Sequence, residues 1–232
     1  MTHPPGTAVL PAEAGWDQLL FAASGSMRVT VGAGSWTVPP GRALWVPSGR
    51  RAVVENRFRV AVRTLYLDAD LGAAPGAPAV VVVEGFAREL VLHAIRSCPL
   101  EVDKPVDRAL LTVLIDQLGR LREDALWLPE PTSRPARRAA EAIRRDPGLP
   151  LPAVAAEVAV SRRTLERAFV AETGLPLGAW RRRSRVHSSL AYLAEGVSVV
   201  ETAYAVGYST PSAFVTAFAA ECGRTPGAYL RR

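Results

Sequence analysis

Four charged residues in one short stretch pose the first chemical question: Arg162, Arg163, Glu166 and Arg167. On a helix, residues four apart project the same way, so Arg163 and Arg167 would present two guanidinium groups side by side. A guanidinium matches the paired acceptors on a guanine edge, and a carboxylate can accept from a cytosine amino group. A second group, Arg181, Arg182, Arg183 and Arg185, crowds the head of an expected helix over 177–194. Such a cluster suits phosphate oxygens, and Ser161 and Thr164 could add hydroxyl contacts to the same backbone. The alternative is a solvated basic surface.

Other chemistries find less support. The histidines, His3, His93 and His187, are too scattered to converge on a metal, and Cys98 and Cys222 match no zinc spacing. No serine or cysteine stands in a nucleophile motif such as Gly-x-Ser-x-Gly. We therefore expect no enzyme activity, no metal and no cofactor. No apolar run approaches the ~18 residues of a membrane span, and residues 1–10 lack a basic region followed by an apolar stretch. The expectation is a cytoplasmic, nucleoid-associated protein without membrane contact.

The charge distribution agrees with a nucleic-acid partner. The chain carries a net charge of +6, but residues 133–232 alone carry +7, from 15 arginines and 8 acidic residues, against −1 for the rest. A one-sided basic excess is the footprint expected of DNA binding.

The elements that must position the arginines repeat. Leu165 matches Phe214, Phe169 matches Phe218, Glu172 matches Glu221, and Gly174, Gly178, Ala179 and Trp180 match Gly223, Gly227, Ala228 and Tyr229, all at an offset of 49. Ala155 and Val158 match Ala203 and Val206 at 48, so the second copy has one extra residue near Thr210. Each copy reads as a short helix (153–158; 199–206), a tight turn and an amphipathic helix (162–172; 212–221), which is a helix-turn-helix. Ser161 is an expected N-cap, Gly174 an expected C-cap, and Gly207 supplies a positive φ in the second turn. The outward face of the second amphipathic helix shows Pro211, Ser212, Val215 and Thr216, which can touch a thymine methyl or make one hydrogen bond but cannot form an arginine fork.

Prolines 129, 131 and 135 mark a connection over 129–135. It separates an N-terminal domain, 1–128, from a C-terminal domain, 136–232. Within the first, which is rich in Val and Trp, short apolar runs at 16–23, 27–31, 36–38, 43–46 and 60–67 alternate with turn signals, as in a small β-barrel or sandwich over about 8–85. Helices are expected within 86–123, at 87–96 and 106–122. Leu110, Leu114, Leu118 and Leu121 form an apolar stripe on the second, as either buried core or a homodimer contact. The fold class is α+β: a β-barrel with following helices, then an all-α double helix-turn-helix.

The pattern Ala203-x3-Gly207-Tyr208-x5-Phe214-x3-Phe218-x4-Gly223-x2-Pro226-x2-Tyr229 resembles the AraC/XylS family signature, and the whole of 133–232 is similar to that family's DNA-binding domain. The resemblance implies two helix-turn-helix units that bind double-stranded promoter DNA, and contact with RNA polymerase if the protein activates. Thr216 departs from the basic residue that many members carry there, which shifts expected specificity to the first unit. Gly41-x5-Pro47-x-Gly49-x2-Ala52-x3-Asn56 resembles a cupin second motif, so the N-terminal part resembles a cupin-type sensor. The motif's metal-binding histidine is replaced by Ala52, and the first-motif ligands fall at Ala12, Ala14 and Gln18, with Gly25 closing that motif. The resemblance implies a small-molecule effector, for which Trp16, Gln18, Trp36 and Trp45 are candidate pocket residues; ordinary barrel core is the alternative for the tryptophans. Competing functions are a metal-dependent cupin enzyme with a helical appendage and a nonspecific architectural DNA binder.

Overall fold

The computed structural model describes residues 2–10, 13–72 and 75–230; the candidate ligand position Ala12 lies outside them. The chain divides into two compact units. Unit 1 comprises Met1–Gly32 and Val38–Ala125, and unit 2 comprises Ala33–Thr37 and Leu126–Arg232.

Unit 1 is mostly antiparallel β-structure. Its strands are β1 (Thr2–His3), β2 (Gly6–Leu10), β3 (Trp16–Ser24), β4 (Met27–Val31), β6 (Arg42–Val46), β7 (Ala52–Asn56), β8 (Val60–Asp68), β9 (Ala79–Val82) and β10 (Glu123–Asp124). One six-stranded sheet has the order β1-β8-β3-β6-β9-β10, while β7 pairs with β2 on one side and β4 on the other. Two helices follow β9: α1 (Gly85–Ser97) and α2 (Pro105–Gly119).

The period-two alternation of β3 sorts its residues between two faces. Leu19 and Phe21 join Trp45 of β6 and Leu65 and Leu67 of β8 in one cluster, closed by Leu90, Val91 and Ala94 of α1 and Leu114 and Leu118 of α2. Gln18 and Leu20 point to the other face, opposite Val46 and Leu44. The buried guanidinium of Arg42 binds Asp124 (2.8 Å) and Glu84 (2.9 Å), tying β6 to β10 and to the residue that opens α1.

The leucine stripe is thereby assigned. Leu114 and Leu118 are core, and Leu110 and Leu121 pack against the same cluster, because α2 is the lid of the six-stranded sheet. Of the two readings of the stripe, buried core is the one that Leu114 and Leu118 follow, with Leu110 and Leu121 partly buried against the same cluster. The exposed residues of α2 include Val106, Ala109 and Val113 together with Arg108, Thr112 and Asp116.

Unit 2 begins with two short strands, β5 (Gly34–Val38, of which Val38 falls in unit 1) and β11 (Trp127–Pro129), paired so that Trp36 lies opposite Trp127. Among the described residues, seven helices follow: α3 (Arg134–Arg145), α4 (Leu151–Glu157), α5 (Arg162–Thr173), α6 (Leu177–Ala194), α7 (Val199–Ala205), α8 (Pro211–Cys222) and α9 (Pro226–Leu230). The α3 helix is amphipathic: Ala136, Ala139, Ala140, Ala142 and Ile143 are buried, while Arg137, Arg138 and Arg145 are exposed. Its apolar face joins Leu128, Val154, Leu165, Phe169 and Trp180 in the unit's main core cluster.

The segment expected as a bare connection over 129–135 is held within this unit. The Trp180 indole donates to the Pro129 carbonyl (2.7 Å), Arg144 pairs with Glu130, and one oxygen of Glu172 accepts from the amides of Thr132 (2.7 Å) and Ser133 (2.9 Å). Ser133 is the N-cap of α3, so Glu172 serves helix-start amides that the chain itself leaves open.

Candidate nucleic-acid interface

The two helix-turn-helix copies are built alike down to their caps. Ser161 Oγ accepts from the Thr164 amide (3.1 Å) at the start of α5; Thr210 Oγ1 accepts from the Ala213 amide (3.3 Å) at the start of α8. The C-caps are Gly174 (φ 71°) and Gly223 (φ 70°), whose amides donate to Val170 and Ala219. The turns also correspond: the Val160 amide donates to Ala155, and the Tyr208 amide to Ala203. At the left-handed position the second turn has Gly207 and the first has Ala159 (φ 56°), a conformation an alanine rarely adopts. These correspondences fix the inserted residue of the second copy as Ser209, next to the position the repeat alone suggested.

Each recognition helix has a buried and a bare side. Leu165 and Phe169 bury one side of α5, and Phe214 and Phe218 bury the same side of α8. Phe169 meets Trp180 edge-on at 5.2 Å, and Phe218 meets Tyr229 likewise at 5.5 Å. The first two turns of α5 leave Arg162, Arg163, Thr164 and Arg167 exposed, and Val170 and Ala171 are exposed nearer its end. On α8 Ser212, Ala213, Thr216 and Ala220 are exposed, with Pro211 and Val215 half-buried. Thr216 donates its hydroxyl back to the Ser212 carbonyl (3.0 Å), which leaves its oxygen as an acceptor.

Several residues singled out from sequence have other work. The Glu166 carboxylate accepts from the Leu177 amide (3.3 Å) at the head of α6 and lies 3.7 Å from Arg162, so it anchors the start of the linker helix. Ser161 and Thr164 share a 2.8 Å hydroxyl contact while serving as the cap. The basic cluster on α6 divides. Arg182 is exposed, whereas Arg181 donates to the Leu149 carbonyl (2.9 Å) and Arg183 pairs with Glu221 (2.8 Å). Arg185 is buried, with its guanidinium on the Pro147 carbonyl and 5.4 Å from the centre of the Tyr208 ring. The assignment of Arg185 to phosphate is therefore corrected: α6 is central to the unit, and that face of it looks inward. The sequence reading did not single out Arg137 and Arg138, which α3 also leaves exposed; their signal is an alanine-rich buried stripe alternating with arginines.

His187 is buried on α6, and its pKa is pushed down to about 3, by desolvation first and then by the nearby Arg183 and Arg144 charges. It stays neutral at neutral pH. Glu172 feels an opposing pair of effects: burial raises its pKa, but the bonds from Ser133 and Thr132 outweigh this and hold it below its ordinary value.

In unit 1 the candidate pocket residues separate. Trp45 lies in the cluster between sheet and helices, on the face opposite Gln18, so it lines no barrel interior. Trp36 is paired with Trp127 and belongs to unit 2. Trp16 and Gln18 share one face of β3, where Gln18 is opposite Tyr66 of β8. Trp16 and Tyr66 are 46% and 45% exposed on that face, while Gln18 is buried. The expected cupin ligand positions Ala14 and Ala52 carry no donor atom, so this set does not fit a metal and no chemistry is routed through one.

Comparison with known proteins decides the family. Residues 154–232 match the family described as a helix-turn-helix domain. The HTH-type transcriptional regulator NimR of Escherichia coli is 31% identical over 222 residues, covering 93% of this chain and 80% of its own length. The chain belongs to the AraC/XylS family of helix-turn-helix transcriptional regulators. RipA of Corynebacterium glutamicum is 33% identical over 119 residues, covering 50% of this chain and 36% of RipA. The C-terminal domain of AraT from Geobacillus stearothermophilus, a solved structure, is 30% identical, with 43% of this chain and 85% of that one covered and a TM-score of 0.41. This AraC/XylS regulator is therefore a DNA-binding transcription factor. Among its described residues no helix is long and apolar enough to cross a membrane.

Proposed function

We propose that this regulator reads promoter DNA with α5 and α8 in successive major grooves, and that α5 supplies most of the base discrimination. The observation that carries the reading is the duplicated, identically capped unit whose first copy bares Arg163 and Arg167 and whose second bares Ser212 and Thr216. A linker of 18 residues spans about 27 Å, comparable with the roughly 34 Å of one turn of DNA. In this reading exposed Arg182, Arg137 and Arg138 are the phosphate contacts. The test is selection of bound sequences from random duplex DNA, followed by footprinting. Two protected segments about one helical turn apart support the reading, with stronger base preference in one segment. A single protected segment, or binding that unrelated DNA competes away equally, rejects it; the second result would favour an architectural binder.

A second reading concerns unit 1, where the half-exposed Trp16 and Tyr66 favour an apolar or aromatic effector held by stacking. Tryptophan fluorescence titrated with aromatic acids and amides, on wild type and on Trp16→Phe, tests it. Absence of any saturable change would remove this face as the effector site.

A further inference from the structure

The two helix-turn-helix units share α6, but a second and shorter path joins them. The loop that connects α3 to α4, residues 146–150, belongs to the first unit's side. The Gly207–Tyr208 turn belongs to the second unit. Gly207 sits so close to this loop that a Cβ there would lie 2.6 Å from both the carbonyl carbon and the oxygen of Pro147, and 2.8 Å from the Gly148 nitrogen. Its φ of 81° is itself one that a side chain disfavours. Beside this backbone contact stands Arg185, with Nε 2.8 Å from the Pro147 carbonyl and Nη2 on the same oxygen, while its charge lies against the Tyr208 ring. One side chain on the linker helix thus holds the first unit's loop and the second unit's turn together. Arg181, one helical turn earlier, fixes the same loop at the Leu149 carbonyl. Within the loop, the Gly148 amide donates to Asp146 (3.0 Å), which sets the bend that presents the Pro147 carbonyl.

We propose that this loop-to-turn clamp makes the pair of recognition helices a single pre-set reader, and that Arg185 is a positioning residue that fixes the separation of the two DNA segments the protein accepts. The inference rests on the two-groove reading above and adds the device that sets its spacing. Two linked modules gain from their linkage only where geometry lets both engage at once. Fixing that geometry before binding removes an ordering cost otherwise met on the DNA. Arg185 touches no DNA in this scheme. It acts through Pro147 and Tyr208.

The clamp can be tested without DNA. Spin labels on Ala171→Cys of α5 and Ala220→Cys of α8, both exposed and at equivalent repeat positions, report the distance between the recognition helices in the full chain, with Cys98 and Cys222 changed to serine. A single narrow distance distribution is expected in this background, and a broadened or shifted one in Arg185→Met. Arg185→Lys keeps the charge but cannot make both bonds to Pro147, so it should fall between. Circular dichroism shows whether Arg185→Met retains its helices. If it does and its distribution is unchanged, the clamp is overturned. If it unfolds, Gly207→Ala, which forces the turn off the loop from the other side, provides the same measurement, and an unchanged distribution there has the same consequence. On DNA selected by the wild type, Arg185→Met should lose about tenfold on the bipartite site and little on either segment alone. It should also tolerate an added base pair between segments better than wild type. Broadening in the label experiment together with a one-segment footprint would leave the clamp standing and reject the two-groove reading.

Discussion

Glu172 and Glu221 stand 49 residues apart at equivalent points of the two recognition helices, yet they hold different partners. Glu172 accepts from the backbone amides of Thr132 and Ser133, while Glu221 accepts from the side chain of Arg183. The same carboxylate thus caps the helix ahead of the first unit and anchors the helix ahead of the second.

Removing that cap should be felt. Glu172→Ala leaves the Thr132 and Ser133 amides without their partner, and a cost of about 1 kcal/mol is expected from comparable caps. Because the Glu172 pKa is lowered in the folded state, its contribution is present above the unfolded value and is lost as pH falls through the folded one. Denaturant melts of wild type and Glu172→Ala at pH 7 and pH 3 measure this. Their difference should shrink at the lower pH.

Buried His187 makes unit 2 sensitive to acid. Its folded pKa of about 3 is below the ordinary 6.5, so between these values the unfolded chain takes up a proton that the folded one refuses. The stabilisation is complete above pH 6.5 and declines as pH falls toward 3, since stability drops wherever the unfolded state binds more protons. His187→Gln should flatten the pH dependence of the melting temperature in this window. An unchanged slope would show that the imidazole is protonated in the folded protein.

The arginines should divide by role. Arg167→Ala is expected to cost about 1–3 kcal/mol on the selected site and to relax preference at one base pair. Arg182→Ala should weaken selected and scrambled DNA alike and reduce the salt slope by about one. Titrations on both DNAs at several salt concentrations compare them. Equal weakening of both DNAs by Arg167→Ala would make that residue a phosphate contact.

The leucines of α2 are expected to act on folding. Leu114→Ala should cost about 2–5 kcal/mol through the cavity it leaves under the helix. Val106→Glu, at a position 79% exposed, should leave stability nearly unchanged. Thermal melts and gel filtration report both. A stable, monomeric Leu114→Ala derived from a dimeric wild type would return that leucine to an interface.

Legibility in the sequence followed how local the determining physics was. The linker helix 177–194 has the bounds expected of it, because its apolar spacing and the glycines around it are local signals. Strands β3, β4 and β6 follow the short apolar runs, whereas β7 and β9 were not separated from their surroundings, since their pairing comes from distant strands. The exposed arginines of α5 were legible because their helix carries two buried residues four apart. Arg185 was not, because its partners, Pro147 and Tyr208, lie 38 and 23 residues away on either side. Trp45 was misplaced for a related reason: alternation says that a strand has two faces, but not which one a later helix will cover.

Strand β11 has a bearing on how such regulators could be recombined. Because Ala33–Thr37 clusters with Leu126–Arg232, no single cut in the chain releases the DNA-reading part whole. A fragment begun at Ser133 would lack the Pro129 carbonyl that receives the Trp180 indole and the Leu128 side chain that helps fill its core. A graft of this reader onto a foreign sensor, whether by natural exchange or at the bench, would do better starting at Leu126. It would still leave β11 without the strand that Gly34, Ser35 and Trp36 provide.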